Sequence, residues 1–223
     1  MCIRDRGIYS HLACADEKDA LNPKSSTQLQ REKFQELLKL INIDNTQNIK
    51  IHLANSAGMI LCKYFQFDMV RVGLSMYGYE PLVKVNEKLF LKPALFLKAK
   101  VTFVRTIEKG IGVSYGKKFV SNRNTKLAVL SIGYADGIIR NLSGKISLIH
   151  NKKLYPQVGS ITMDQMMVDI TDSDDIKVGS TMLLLGSEGE QTISPIDWAD
   201  KCNSITWEIL CSFKNRLPRV QVD

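Results

Sequence analysis

Apolar positions recur along the first part of the chain with two alternating periods. Ile8-Tyr-Ser-His-Leu-Ala13 is a short run that reads as a buried strand. Phe34, Leu37, Leu38 and Ile41 stand at i, i+3, i+4 and i+7, which predicts a helix from Ser26 to Asn42 with that stripe facing inward. Ile49, Ile51 and Leu53 alternate as a strand, and Ser56 opens a second helix to Phe65. Asp68 to Leu74 reads as a further strand, and Ser75 to Gly78 as a turn or short helix. Strands and helices in alternation point to a parallel sheet or barrel.

Beyond residue 90 the texture becomes all-β. Leu97, Ala99, Val101 and Phe103 alternate with Lys98, Lys100 and Thr102, the pattern of a half-buried strand. Strands are predicted over 126–134, 145–149, 157–170 and 181–186, separated by Gly, Asn and Asp. Two helices close the pattern: one capped by Ser194 with Pro195 in its first turn and running to Lys201, the other from Thr206 to Phe213. The boundary between the two textures lies between Pro81 and Lys92 and is set at 88/89. The first part holds about three strand–helix units, whereas a closed eight-unit barrel takes roughly 250 residues. It is therefore either a small open sheet or the C-terminal part of something longer.

Composition narrows the function classes. No apolar run approaches the ~20 residues that span a bilayer, so no membrane partner is expected. Met1-Cys-Ile-Arg-Asp-Arg6 is charged and lacks the apolar stretch of a secretory signal. Cys2, Cys14, Cys62, Cys202 and Cys211 are odd in number and scattered, with no Cys-x-x-Cys pair. Reduced thiols in a cytoplasmic protein are expected, with neither a disulfide framework nor a metal site. The net charge of +7 is dispersed, with Lys117-Lys118 and Lys152-Lys153 the adjacent basic pairs, so nucleic acid is not an expected partner. An anionic ligand such as a phosphate fits the charge.

Several segments carry polar side chains where chemistry is done. Tyr115, in Ile111-Gly-Val-Ser-Tyr-Gly116, is either a phenol mounted for proton transfer or part of a plain turn. Proton transfer would need a neighbour that lowers its pKa from about 10. His11 ends a predicted strand and His52 sits inside another, each either a satisfied core or edge histidine or a functional one. Asn55-Ser-Ala-Gly58 is a strand-to-helix turn that suits a phosphate or an ordinary N-cap equally. Arg71 sits in an apolar run and so requires a specific partner, while Gly73 allows a close backbone approach. Gly133-Tyr-Ala-Asp-Gly137 with Arg140, and Gly159 to Gln165, place polar groups at strand ends that singly are turn chemistry.

In combination and order these segments are more specific. Ser10-His-Leu-Ala-Cys-Ala-Asp-Glu17, His52-Leu-Ala-Asn-Ser-Ala-Gly58, Asp68-Met-Val-Arg-Val-Gly-Leu-Ser-Met-Tyr-Gly78 and Val113-Ser-Tyr-Gly116 come first. Gly133-Tyr-Ala-Asp-Gly137, Met163-Asp-Gln165 and Arg216-Leu-Pro-Arg219 follow. The set closely resembles the alanine racemase family from Gly7 to Val220. The resemblance implies an α/β plus all-β chain: the C-terminal part of a (β/α)8 barrel binding pyridoxal 5'-phosphate over 7–88, then the family's C-terminal β domain over 89–223. It implies the interconversion of L- and D-alanine for peptidoglycan precursors by a head-to-tail homodimer whose active site is shared between subunits.

The same resemblance implies roles. Ser56, Asn55 and the backbone at Gly73 and Leu74 hold the cofactor phosphate, and Arg71, supported by His52, faces the pyridine nitrogen. Tyr115 is the acid or base on one face of the substrate Cα, tuned by His11. Met163 and Asp164 sit near the substrate carboxylate, and Asp16, Tyr134, Asp136 and Arg140 line the access corridor. Departures accompany these matches. Nothing corresponds to the family's Schiff-base lysine or to its substrate-gripping arginine, and residues 1–6 read as a leader foreign to the family. Ser160 and Asn215 stand where many members carry an arginine and a phosphate-touching tyrosine. The chain alone is expected to be inactive. Another fold-type III racemase, for serine or broader substrates, and a non-catalytic fragment are the alternatives; Arg71 argues against a decarboxylase, which places an acid near that nitrogen.

Overall fold

The computed structural model describes residues 7–41, 49–81 and 91–222; the 1–6 leader and the 88/89 boundary expected from the sequence lie outside them. The chain divides into two compact units, Met1–Ala94 and Leu95–Asp223.

In the first unit, strand β1 (Gly7–Tyr9) pairs in parallel with β2 (Lys50–His52), and helix α1 (Ser26–Ile41) intervenes. Ser25 caps α1, its hydroxyl accepting from Gln28 N at 3.3 Å and donating to Ala20 O at 3.0 Å. The inward stripe differs from the predicted one. Thr27, Gln28 and Phe34 are buried, while Leu37 and Ile41 are about half exposed at 47% and 49%. Hydrogen bonds at the start of the helix set its rotation: Gln28 Nε2 donates to Tyr64 Oη (2.6 Å) and Gln30 Nε2 to His11 O (2.6 Å). The second predicted helix is split into α2 (Ser56–Leu61) and a 3-10 turn over Lys63–Phe65. Leu12, Leu53, Ala54, Ala57, Phe34 and Phe65 form the core between these elements.

The strand expected over 68–74 joins no ladder. It is an extended segment tied to β2 and its continuation by two backbone bonds, Asp68 N to Ile51 O (2.9 Å) and Arg71 N to Ala54 O (3.0 Å). A 3-10 turn over Leu74–Tyr77 follows.

The second unit is an antiparallel sheet. Its strands are β3 (Leu97–Ile107), β6 (Thr125–Leu130), β7 (Ser147–His150), β8 (Lys153–Val158), β9 (Met166–Asp169), β10 (Thr181–Glu188) and β11 (Gln191–Ile193). A separate hairpin joins β4 (Gly112–Val113) to β5 (Phe119–Val120). The sheet order is β11-β10-β3-β6-β9-β8-β7, and β7 also pairs with β10 at Ile149↔Leu183, so the sheet closes on itself.

Alternation along β3 holds through Val101 and then breaks. A register shift between Val101 and Phe103 leaves Thr102 and Phe103 both outside, with Phe103 53% exposed. The single strand predicted over 157–170 is two, β8 and β9, separated by a loop. The first loop residues, Gly159 to Ile161, stay buried although they have left the ladder.

Helices α3 (Pro195–Cys202) and α4 (Thr206–Ser212) cover the closed sheet. Ser194 and Asp197 form a reciprocal capping box at 3.2 and 2.8 Å. Trp198 and Phe213 meet edge to face at 6.4 Å within the core.

Candidate functional site

In the first unit, strand ends converge on one arginine. Because segment 68–73 runs beside β2, the Arg71 guanidinium reaches the C-terminal ends of β1 and β2. Its Nη1 donates to Nδ1 of His52 (2.6 Å) and to His52 O (3.3 Å). Its Nη2 donates to Ser10 O (2.7 Å) and Leu53 O (3.3 Å) and faces Nδ1 of His11 at 3.3 Å. Nε makes no hydrogen bond among the described residues. The Tyr9 ring lies 5.1 Å from Cζ and stacks on His52, with centroids 5.3 Å apart and planes within 9°.

A permanently charged guanidinium only donates, so Nδ1 of His52 accepts and the ring is neutral. Burial, reinforced by the Arg71 charge, holds His52 below the ordinary histidine range. His11 lies between two donors, since Asn55 Nδ2 faces its Nε2 at 3.4 Å. Arg71 can only donate, so Nδ1 is the His11 nitrogen placed to accept from it. Gln30 fixes the strand end itself through His11 O.

Beside this hub, Asn55 caps α2. Its Oδ1 accepts from Gly58 N (2.9 Å) and its Nδ2 donates to Leu12 O (3.1 Å). Gly58 makes room for the buried Leu12, since a Cβ there would stand 2.6 Å from Leu12 Cδ1. The buried Ser56 hydroxyl accepts from Gly73 N (2.9 Å) and Ser75 N (3.5 Å). Among the described residues, Ser75 Oγ is buried without a hydrogen-bond partner, and the space where a Gly73 side chain would project is open. Leu74 is buried under this turn. Asp16 lies in the turn after His11, half-buried, with no side-chain hydrogen bond among the described residues.

In the second unit, Tyr115 opens a 3-10 turn between β4 and β5 with its ring 75% exposed. Its hydroxyl has no hydrogen-bond partner among the described residues. It borders a cleft of about 460 Å³ that Ser114, Ser160, Thr162, Gln165 and Met167 also line. Met163 and Asp164 lie on the loop before β9. Gly133, Tyr134 and Asp136 form a turn strapped to that loop by Tyr134 N to Thr162 O (2.9 Å) and Ala135 N to Met163 O (3.0 Å). The Asp136 carboxylate accepts from Gly133 N at 2.9 Å. Arg140 is exposed and makes no side-chain hydrogen bond or ion pair among the described residues.

The side chain that joins these pieces is Arg216. Its Nε lies 3.2 Å from Asp136 Oδ1 and its Nη2 2.7 Å from Asp164 Oδ1. Arg216 was legible only as part of the Arg216-Leu-Pro-Arg219 motif, with no role attached. Ser160, expected to be a departure, is 1% exposed, and its hydroxyl donates to Tyr115 O at 3.4 Å. Asn215 is exposed.

A parallel strand–helix unit with histidines, an arginine and a capped helix start at its strand ends, then a closed antiparallel β unit presenting a tyrosine, defines a class: the later units of a (β/α)8 barrel joined to a β domain. Comparison with known proteins makes the assignment specific. Family models match residues 2–81 (alanine racemase, N-terminal domain) and 94–221 (alanine racemase, C-terminal domain). The alanine racemase of Prochlorococcus marinus is 52% identical over 217 residues, covering 97% of this chain and 56% of that protein. That of a Nostoc species is 43% identical over 215 residues, covering 96% and 55%. The crystal structure of alanine racemase from Bacillus anthracis with bound L-Ala-P superposes with a TM-score of 0.81 at 32% identity, over 93% of this chain and 53% of that one. Alanine racemase from Bartonella henselae with covalently bound pyridoxal phosphate gives 0.79 at 33% identity, over 97% and 56%. The chain belongs to the alanine racemase family. It spans about half the length of the relatives it matches.

Proposed function

We propose that this chain serves a pyridoxal-phosphate-dependent alanine racemase that interconverts L- and D-alanine for peptidoglycan precursors. The observation that carries the reading is the Arg71 hub: a guanidinium held through Nη1 and Nη2 at strand ends, with Nε–H left over, beside the Asn55-Ser56 helix start.

The residues present fit the cofactor by their donor set. Asn55, the Ser56 hydroxyl and the N–H groups of Gly73 and Leu74 suit a phosphate, and the partnerless Ser75 Oγ lies on the same turn. Arg71 Nε–H suits a pyridine nitrogen. Since arginine stays protonated, the nitrogen it faces remains an acceptor. When bound, the cofactor supplies the electron sink that acidifies an amino acid Cα–H.

The chain's own groups then divide the work. His52 fixes Arg71 from one side, and His11 presents Nε2–H as a donor for a phenolate oxygen. Tyr115 exchanges the Cα proton on one face of the substrate. Met163 and Asp164 meet the substrate carboxylate, with Arg216 holding Asp164 in place. Asp16, Tyr134, Asp136 and Arg140 line the access corridor. A homodimer sharing its active sites, in the cytoplasm, completes the reading. Four described cysteines are free thiols, and no helix among the described residues is long and apolar enough to cross a membrane.

The test uses this sequence completed to the length of its relatives, loaded with pyridoxal phosphate, and follows the optical rotation of L-alanine and L-serine. Racemisation of alanine in preference to serine is expected. A preference for serine would move the reading to another racemase of the fold, and failure to racemise either substrate would overturn it.

A further inference from the structure

Ser114, immediately before Tyr115, has backbone angles of φ 70 and ψ 170. That region is essentially reserved for glycine and costs another residue on the order of 1–3 kcal/mol. Three glycines stand within this turn or against it, Gly112, Gly116 and Gly159, yet position 114, whose backbone also calls for glycine, carries a serine. Its hydroxyl is fully used. Ser114 Oγ accepts from Ser160 N at 2.7 Å and donates to Ser160 O at 3.2 Å, a reciprocal clamp across 46 residues of sequence.

The opposing segment is shaped to receive it. Gly159 has φ 70, and a Cβ there would stand 2.6 Å from Ser114 Cβ, so only glycine permits the approach. Ser160 returns a second bond, its Oγ donating to Tyr115 O at 3.4 Å, and its own side chain is enclosed at 1% exposure. Ile161 N is in turn held by Ser143 Oγ at 2.9 Å. The exposed Tyr115 ring therefore leaves a backbone tied at Ser114 and at Tyr115 O to Ser160, whose own segment continues to Met163 and Asp164.

We infer that Ser114 is a positioning residue: its strained backbone and its two-way hydroxyl clamp to Ser160 set the direction in which the Tyr115 phenol projects. The inference rests on the proton-transfer role given to Tyr115 above. Strain kept at a site that glycine would relax is explained if the hydroxyl supplies aim. Catalysis is steep in geometry, a misplacement of about 1 Å costing up to about 100-fold.

The reconstituted holoenzyme tests this with Ser114→Gly, which relieves the strain and removes the clamp, Ser114→Ala, which removes the clamp and keeps the strain, and Ser114→Cys, which keeps a weak donor and acceptor. Expected for Ser114→Gly is folded, cofactor-loaded protein with kcat down about tenfold or more. KM for alanine should stay within about threefold, since uniform binding is untouched. The isotope effect with Cα-deuterated alanine should rise for one enantiomer only, because Tyr115 serves one face. Ser114→Cys should recover part of the rate. If Ser114→Gly does not load cofactor, the same readouts are taken on Ser114→Ala. Wild-type kcat and isotope effects in the loaded variants would overturn the inference, whatever their melting temperatures. Should Tyr115→Phe also keep wild-type turnover, the role of Tyr115 would be what failed; loss in Tyr115→Phe alone would reject only the role of Ser114.

Discussion

Nη1 of Arg71 donates to Nδ1 of His52 across 2.6 Å, and the same guanidinium reaches the carbonyls of Ser10, His52 and Leu53. One side chain thus fastens the ends of both parallel strands. Removing it leaves acceptors without donors in a half-buried site, at about 1–3 kcal/mol for a buried group left unpaired. Arg71→Ala is expected to lose roughly 2–3 kcal/mol in denaturant unfolding. Arg71→Lys should recover only part of this, since one ammonium cannot span groups arranged for a planar fork.

His52 supplies a pH test with a definite sign. Burial first and the Arg71 charge second lower its folded-state pKa, so the unfolded chain binds the extra proton more readily. The stabilisation is fully present above about pH 6.5 and is lost as pH falls from there through the folded-state pKa. The wild-type melting temperature should therefore fall between pH 7.5 and 5.5 more steeply than that of His52→Gln. Parallel curves would show that His52 is not held neutral by folding.

Arg216 bridges two carboxylates of unlike environment. The Asp136 side chain is 9% exposed and that of Asp164 57%. Double-mutant cycles should give a coupling of about 0.2–1 kcal/mol for Arg216 with Asp164, the range of exposed pairs. The coupling with Asp136 should be larger, near 1–3 kcal/mol, because that carboxylate is left enclosed. Equal couplings would contradict the asymmetry.

The turn at Gly133 depends on a contact that only glycine permits. A Cβ on Gly133 would stand 2.2 Å from Thr162 O and 2.4 Å from Met163 O, both rigid backbone atoms. Gly133→Ala is expected to destabilise the protein by about 1–3 kcal/mol. It should also raise KM for alanine, through displacement of Met163 and Asp164. Wild-type stability and KM would show that the strap is dispensable.

Element order was legible because period and texture change together, from strand–helix alternation to an all-β run at Leu97. The rest was hidden for specific reasons. Segment 68–74 has a strand's apolar pattern, but among the described residues two backbone bonds join it to its neighbour, too few for a ladder. Gly159 to Ile161, between β8 and β9, stay buried without joining the ladder, so the sequence reads straight across the break. Leu37 and Ile41 match a helical stripe that Gln28 and Gln30 rotate away from the core. In the candidate site, His11, Asn55 and Arg71 stand out as polar residues at strand ends. Arg216 does not, since it meets Asp164 across 52 residues of sequence. A positive φ at Ser114 leaves no mark in the sequence at all.

Tyr115 is proposed to carry a proton in a pyridoxal-phosphate racemase. The most direct measurement is the alanine racemisation rate of Tyr115→Phe in the reconstituted holoenzyme, alongside its cofactor affinity. Losing a general acid–base group should lower kcat by about 100- to 10,000-fold. Cofactor affinity should stay within a few-fold of wild type, since the donors proposed for the phosphate and ring nitrogen all lie in the first unit. Racemisation by Tyr115→Phe at a rate near that of the wild type would contradict the account.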